Sequence, residues 1–296
     1  MRFRYRWLAG CLLARAALVP GLAAQHPAAA APPPLVISVM DVGQADAILI
    51  ETPDSQWILV DAGRTAEVAW RLQDQYGVTR LAAAVGSHRH ADHIGGMPEV
   101  LASFPVGLYV GDTSGGMHQS HVTAPLSRQI RQSHVPVRGP GADTIAVGAV
   151  RLIVLPQAPP DPNENNNSVV VRLEYGRFSM LLAGDAEEEE RHWLTAFYRE
   201  LLDVEVLKAA HHGSHNGESP DWLEATTPSL VVISAGVNGG YRHPDPAAVG
   251  DYEAVASVIC TNREGDLRIT AAADGHYTVS TERQTARSCA YDGTSD

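Results

Sequence analysis

Ten consecutive residues constrain this chain more than any others: Ser87-His88-Arg89-His90-Ala91-Asp92-His93-Ile94-Gly95-Gly96. Four side chains of the metal-ligating kind fall within six positions, just after the strand-like run Leu81–Val85. In extended chain His88 and His90, two apart, point the same way. Asp92 and His93 then begin a helix and serve a second point beside the first. Neutral imidazole and carboxylate are the ligands expected for Zn²⁺ or Mn²⁺. The competing reading, a chance cluster of surface histidines, has that tight spacing against it.

The body of the chain supplies strands and helices to frame this run. Leu35–Met40, Ala45–Glu51 and Trp57–Val60 are rich in Val, Ile and Leu, and each stops at turn residues. A helix is predicted over Ala66–Gln75, with Val68, Leu72 and Tyr76 at helical spacing. Val106–Val110, Val150–Leu155, Val169–Tyr175 and Phe178–Ala183 read as strands. Ala186–Leu201 reads as a helix with acids in its first turn, where they suit the helix dipole. Strand Val204–Ala209, helix Pro220–Ala225, strand Leu230–Ala235, helix Pro246–Ser257 and two closing strands follow. Meander strands giving way to strand–helix alternation imply an α/β protein: two mixed sheets with helices outside, an αββα sandwich.

The first 24 residues differ from the rest. Arg2, Arg4 and Arg6 precede an apolar run from Leu8 to Leu22, and Ala23-Ala24 offers small residues for cleavage. This predicts a secretory signal peptide over 1–24 and a periplasmic or secreted protein; the apolar run is short for a membrane anchor. Leu8-Ala9-Gly10-Cys11 has the letters of a lipoprotein box, but its apolar stretch follows the cysteine. Residues 25–34, rich in Ala and Pro, read as a leader, and residues 35–296 as the folded domain. Losing the four Arg of the leader peptide takes the formal net charge from −12 to −16. So acidic a chain is poorly suited to tight, nonspecific capture of nucleic acid, which rests on Lys and Arg. Cys260 and Cys289 remain, and an oxidising compartment favours a disulfide between them over two separate thiols.

Several motifs together resemble one family. His88-x-His90-x-Asp92-His93 matches the signature of the metallo-β-lactamase superfamily. Asp41-Val42-Gly43-Gln44-Ala45-Asp46, the turn Asn165-Asn166-Asn167-Ser168 and Leu207-Lys208-x-x-His211-His212-Gly213-Ser214 are similar to the hydrolase domain of ComEC-type DNA-uptake proteins and their stand-alone secreted relatives. The resemblance covers about residues 35–281, and it departs at Ala45, where the family usually has Gly. It implies the metallo-β-lactamase αββα sandwich and two divalent metal ions, Zn or Mn. The ligands it implies are His88, His90, Asp92, His93, Asp185 and His211, with Asp185 bridging; the other reading of Asp185 is a helix cap. It also implies that His212 is a neighbour of the metals and that Asn165 or Asn167 stands where many members have a third histidine, against a plain Asx turn. Asp41 and Asp46 are expected to orient metal-bound histidines. Lys208, Ser214 and His243 are expected on the substrate side, although Lys208 reads equally as a solvent-facing strand lysine and His243 as a loop histidine. His26, His118, His121, His134, His192, His215 and His276 receive no role.

The reaction implied is attack of a metal-activated water on a phosphodiester, with Asp92, Asp185 and His243 as its catalytic side chains. Nucleic acid is an expected substrate, weakly bound, and no membrane channel accompanies the domain. A β-lactam or lactone hydrolase on the same fold is the first rival, since fold does not decide substrate. A metal-binding module without turnover is the second.

Overall fold

Alternation of side chains along the strands decides the layers. In Trp57–Val60, Ile58 and Val60 face one way and Leu59 the other, and all three are buried. Ile58 and Val60 join Ile37, Ile50, Leu152, Leu173, Met180 and Val232 in the core between two sheets. Leu59 joins Val68, Leu72, Val100 and Leu101 under helices on the outer face of the first sheet. Leu181, Leu207 and Val231 pack outward in the second sheet, beneath Leu194, Trp222, Val249 and Tyr252. Both faces of both sheets are therefore covered, and the αββα sandwich is the observed architecture. The computed structural model describes residues 32–112, 121–237, 240–285 and 287–292. The expected signal peptide at 1–24 and most of the leader at 25–34 lie outside the described residues.

The first sheet has the strand order Tyr277–Thr281, Leu267–Ala271, Leu35–Val39, Ile48–Glu51, Trp57–Val60, Ala83–Val85, Tyr109–Val110 and Val137–Arg138. The second runs Ser257–Cys260, Leu230–Ile233, Val206–Lys208, Phe178–Leu182, Val171–Tyr175, Val150–Val154 and Asp143–Val147. Each is antiparallel on one side and parallel on the other. Parallel strands end in the same direction, so the segments after Val60, Val85, Leu182, Lys208 and Ile233 gather at one rim. Among the described residues, no helix is long and apolar enough to cross a membrane.

Several elements depart from expectation. Helices at Met97–Ser103 and Thr123–Ser133 and the strands Val137–Arg138 and Asp143–Val147 were not predicted; the second helix buries Leu126, with Ile130 packed beside it. The helix expected over Ala186–Leu201 is Glu188–Phe197, followed by a 3₁₀ turn at Arg199–Leu201. Its early acids also do more than complement the helix dipole. Glu187 accepts from the Asn163 and Asn165 amides and Glu189 from Asn166, while Glu190 is fully buried and accepts from the Ala158 N–H.

Cys260 and Cys289 form a disulfide, with Cα atoms 5.8 Å apart. It pins the last described residues, where the Tyr291 N–H donates to the Pro244 carbonyl and Asn262 to that of Cys289.

Two stability predictions follow from these contacts. Opening the disulfide by Cys289→Ser is expected to lower the unfolding free energy by about 3 kcal/mol. Urea titration measures this, and metal content should not change. Burial raises the Glu190 carboxyl to about 8. A folded pKa above the unfolded one means that its stabilising contribution is full below about pH 4.5 and lost as pH rises toward 8. Glu190→Gln should flatten that loss, gaining on the parent by about 2–4 kcal/mol at alkaline pH. Parallel stability curves for the two proteins across this range would contradict the assignment.

Candidate metal centre

The rim where the parallel strands end collects the side chains of interest, as open α/β sheets commonly do at their carboxyl edges. Asp61 follows strand Trp57–Val60, and Ser87 to His93 follow Ala83–Val85. Asp185 follows Phe178–Leu182, and His211 and His212 follow Val206–Lys208. Gly96 is needed because a Cβ there would collide with the Ala62 and Thr65 carbonyl oxygens. The loop carrying Asp61 can thus lie directly against the helix carrying His93, joined by Ala62 N–H to the His93 carbonyl at 2.7 Å.

Hydrogen bonds fix which nitrogen of each histidine is free. Asp61 accepts from the Ser87 N–H and Ser87 hydroxyl, both at 2.7 Å, and from His93 Nδ1 at 2.7 Å. His93 therefore turns its Nε2 inward, 3.1 Å from Asp185 Oδ1; against the pull of burial that carboxylate holds the ring's pKa well above the ordinary value, and a cation taken up at this nitrogen would displace its proton. Ser87 Oγ, having given its hydrogen to Asp61, accepts from His88 Nδ1 at 3.1 Å. That leaves His88 Nε2 without a hydrogen of its own, accepting from His90 Nδ1 at 3.0 Å and lying 3.8 Å from Asp185 Oδ2. His212 Nδ1 donates to the Ser234 carbonyl at 2.9 Å, so its Nε2 is free beside Asp92 Oδ2 and Asp185 Oδ1, at 3.8 and 3.7 Å. Carboxylates and carbonyls that fix the far nitrogen in this way are the usual support of metal-ligating histidines.

The centre is short of cations. Asp185 Oδ1, His93 Nε2, His212 Nε2 and Asn165 Oδ1 are buried and have no hydrogen-bond partner among the described residues. Such atoms are rare unless something else satisfies them. His88, His93 and Asp185 bring ligand atoms within 4.8 Å of one another, and so do Asp92, His93 and His212. Burial would raise the Asp185 pKa, but His93 and His212 pull it well below the ordinary range. Burial and His93 hold His88 far below its ordinary value, so it is neutral, as a ligand must be. The residues present fit one or two divalent cations around Asp185. His90 stands at the mouth, its Nδ1 3.0 Å from His88 Nε2.

The structure leaves His211 and His212 both within reach of Asp185 and corrects several other expectations. His211 was expected as the ligand and His212 as its neighbour, on the premise that the chain is extended there. Both residues are left-handed, with φ of 47° and 55°, which turns both rings toward Asp185. His212 is the buried one, 2% exposed. His211 sits at the cleft side, its Nε2 3.9 Å from Asp185 Oδ2 and its Nδ1 held by Glu187 and Asn216. Lys208 faces neither substrate nor solvent. It is 1% exposed and pairs with Asp46 at 2.8 Å. Asp46 in turn lies 3.4 Å from His212 Nδ1. Asp41 meets none of the histidines; it accepts from the Gly43 N–H and Arg283. Ser214 is buried and donates to Asn216, the residue that holds His211. Asn167 ties its own loop through Asp161. Asn165 gives its amide N–H to Glu187 and so turns its carbonyl oxygen to the cleft.

His243 lines the cleft, but burial and then His211 and His212 lower its pKa to about 4. The Gly236 N–H donates to Gln44 Oε1, leaving the Gln44 amide N–H to face His243 Nδ1 at 3.4 Å. His243 is thus a neutral ring with its hydrogen on Nε2. His121, given no role from the sequence, also lines this cleft of about 510 Å³; His118 lies outside the described residues.

Three contributors escaped the sequence reading. Asp61 read as an ordinary turn residue and Glu187 as a helix acid, and Arg64 drew no reading at all. Arg64 lines the cleft and pairs with Asp92 at 3.2 Å. Arg89 lines it too, held by Glu164 and Asp112.

The family model of the metallo-beta-lactamase superfamily matches residues 40–237. ComE operon protein 3 of Bacillus subtilis is 27% identical over 237 residues, covering 70% of this chain and 29% of that protein. Competence protein ComA of Neisseria gonorrhoeae is 27% identical over 233 residues, 78% of this chain and 31% of its own. The chain therefore spans less than a third of the length of these curated relatives. Among solved structures, CmlA, a diiron β-hydroxylase from Streptomyces venezuelae, superposes with a TM-score of 0.52 at 15% identity, over 81% of this chain and 54% of that one. That likeness concerns the fold alone.

The two histidines are separable by experiment. His212→Ala should strip more metal from the purified protein than His211→Ala, because His212 shares the buried cluster with His93 and Asp92. Metal per chain by plasma mass spectrometry decides this, and the opposite order would restore His211 as the principal ligand.

Proposed function

Because the chain belongs to the metallo-β-lactamase superfamily, we propose that this metal-dependent hydrolase is a secreted phosphodiesterase acting on DNA or a related phosphoester. The observation that carries the reading is the shape of the charge. An otherwise acidic chain places two guanidinium groups, Arg64 and Arg89, on the wall of a cleft whose floor is Asp185 and its histidines. The relative named as a competence protein favours nucleic acid as the substrate. The basic, then apolar, first residues and the disulfide support export.

When bound, one or two divalent cations, Zn or Mn, supply Lewis-acid charge and a water of lowered pKa. His88, His90, Asp92, His93, Asp185 and His212 would hold them, with His211 and the Asn165 carbonyl at the open side. Asp185 accepts a hydrogen bond from the attacking water and aims its oxygen at phosphorus. One P–O bond forms in line as the ester P–O bond opposite breaks; the water keeps one hydrogen on the new P–OH, and the proton it gives up is balanced by the one the departing oxygen takes from solvent, giving a phosphomonoester and an alcohol. The His243 Nε2–H donates a hydrogen bond to the departing oxygen, and Gln44 keeps that hydrogen on Nε2. Arg64 pairs with Asp92 and presents its remaining N–H groups to the phosphate oxygens.

Metal-loaded protein should hydrolyse bis(p-nitrophenyl) phosphate and single-stranded DNA, and EDTA should stop both reactions. Asp185→Ala should lower the rate by roughly 10²–10³-fold or more. Nitrocefin turnover alone, lost in Asp185→Ala, would replace this reading with the β-lactam or lactone hydrolase. Metal binding without turnover of any ester would leave the binding module.

A further inference from the structure

We propose that Tyr241 is a stacking platform for a nucleobase, so that the cleft takes single-stranded nucleic acid by one base as well as by its phosphate. The inference rests on the phosphodiesterase reading and names what recognises the substrate beside the scissile bond.

Tyr241 is 64% exposed. Of the large exposed apolar and aromatic side chains among the described residues, it alone lines the metal cleft. Arg242, next to it, adopts a left-handed φ of 58°, so the chain turns sharply there. From the rim inward, three rings form a descending series. Tyr241 lies 6.0 Å from His243, centroid to centroid and tilted by 36°, and His243 lies 5.3 Å edge-to-face from His211. His211 in turn reaches Asp185 at 3.9 Å. A phosphate at Asp185 would place a base one or two nucleotides away at the level of Tyr241. The cleft, at about 510 Å³, has the size of a small-molecule site and suits a short strand rather than a duplex.

Charge makes such a platform useful. Backbone binding draws on Lys and Arg, and this chain has 22 of them against 34 acids. The two guanidinium groups on the cleft wall are already engaged by Asp92 and Glu164. Stacking on a tyrosine face needs no cation and is indifferent to which base is offered. It also resists salt, unlike phosphate contacts.

The test compares two tetranucleotides with the same phosphates, oligothymidylate and its abasic counterpart, on the metal-loaded full chain. The parent protein should prefer the base-bearing strand by about tenfold in kcat/KM, mostly through KM. Tyr241→Ala should bring the ratio close to one, and Tyr241→Trp should keep it. In parallel, NMR titration measures the binding of thymidine 5′-monophosphate against deoxyribose 5-phosphate. Tighter binding of the nucleotide that vanishes in Tyr241→Ala supports the platform even if neither strand is cut, an outcome that would sink only the phosphodiesterase reading. Equal treatment of base-bearing and abasic ligands by the parent, or a preference that survives Tyr241→Ala, overturns the proposal.

Discussion

Everything at the rim is arranged around one buried carboxylate. Asp185 is 2% exposed, and an anion at that depth is costly unless compensated. Imidazoles from two segments approach it: His88 and His93 from the first sheet's rim, and His211 and His212 from the second's. Each of those rings is oriented from behind by a further acceptor, whether Ser87, Asp61, Glu187 or the Ser234 carbonyl. The result is a set of ring nitrogens and carboxylate oxygens facing inward, several of them buried with no hydrogen-bond partner among the described residues. Such an arrangement draws a cation to the point where the two sheets meet, and so ties the chemistry to the packing of the sandwich.

The fold was largely legible in the sequence because its strands are apolar, short and punctuated by turns. The histidine run was legible because four ligand types in six positions have little other use. What stayed hidden depends on backbone conformation or on burial from both sides. Asp61 reaches Ser87 and His93 only because its own φ is 58°, a turn that no local pattern announces. His211 and His212 were assigned on the premise of extended chain, and two successive left-handed residues removed that premise. Lys208 lies in register with Leu182 and Val232 in the middle of the second sheet. A strand covered on both faces has no solvent side, so alternation could not tell where its lysine points. Helix Thr123–Ser133 has Leu126 and Ile130 at helical spacing, but Pro125 between Thr123 and Leu126 is a breaker signal that here sits in the first turn, where proline is tolerated.

The Asn-rich turn shows how one short segment serves fold and site at once. Asn163, Asn165 and Asn166 each bond an acid at the start of helix Glu188–Phe197. Glu187 is shared between Asn165 and His211. The docking of that helix and the aim of a cleft carbonyl are therefore one hydrogen-bonded unit, and changes to the helix start are transmitted to the cleft wall.

The burial of Lys208 has a practical side. It is the chain's single lysine and is 1% exposed, closed in by Asp46 and the Ala209 carbonyl. No lysine amine of this chain is therefore open to acylating reagents on the native molecule. Modification at position 208 requires the second sheet to part from its surroundings, which makes the extent of acylation there a covalent clock for opening of the core.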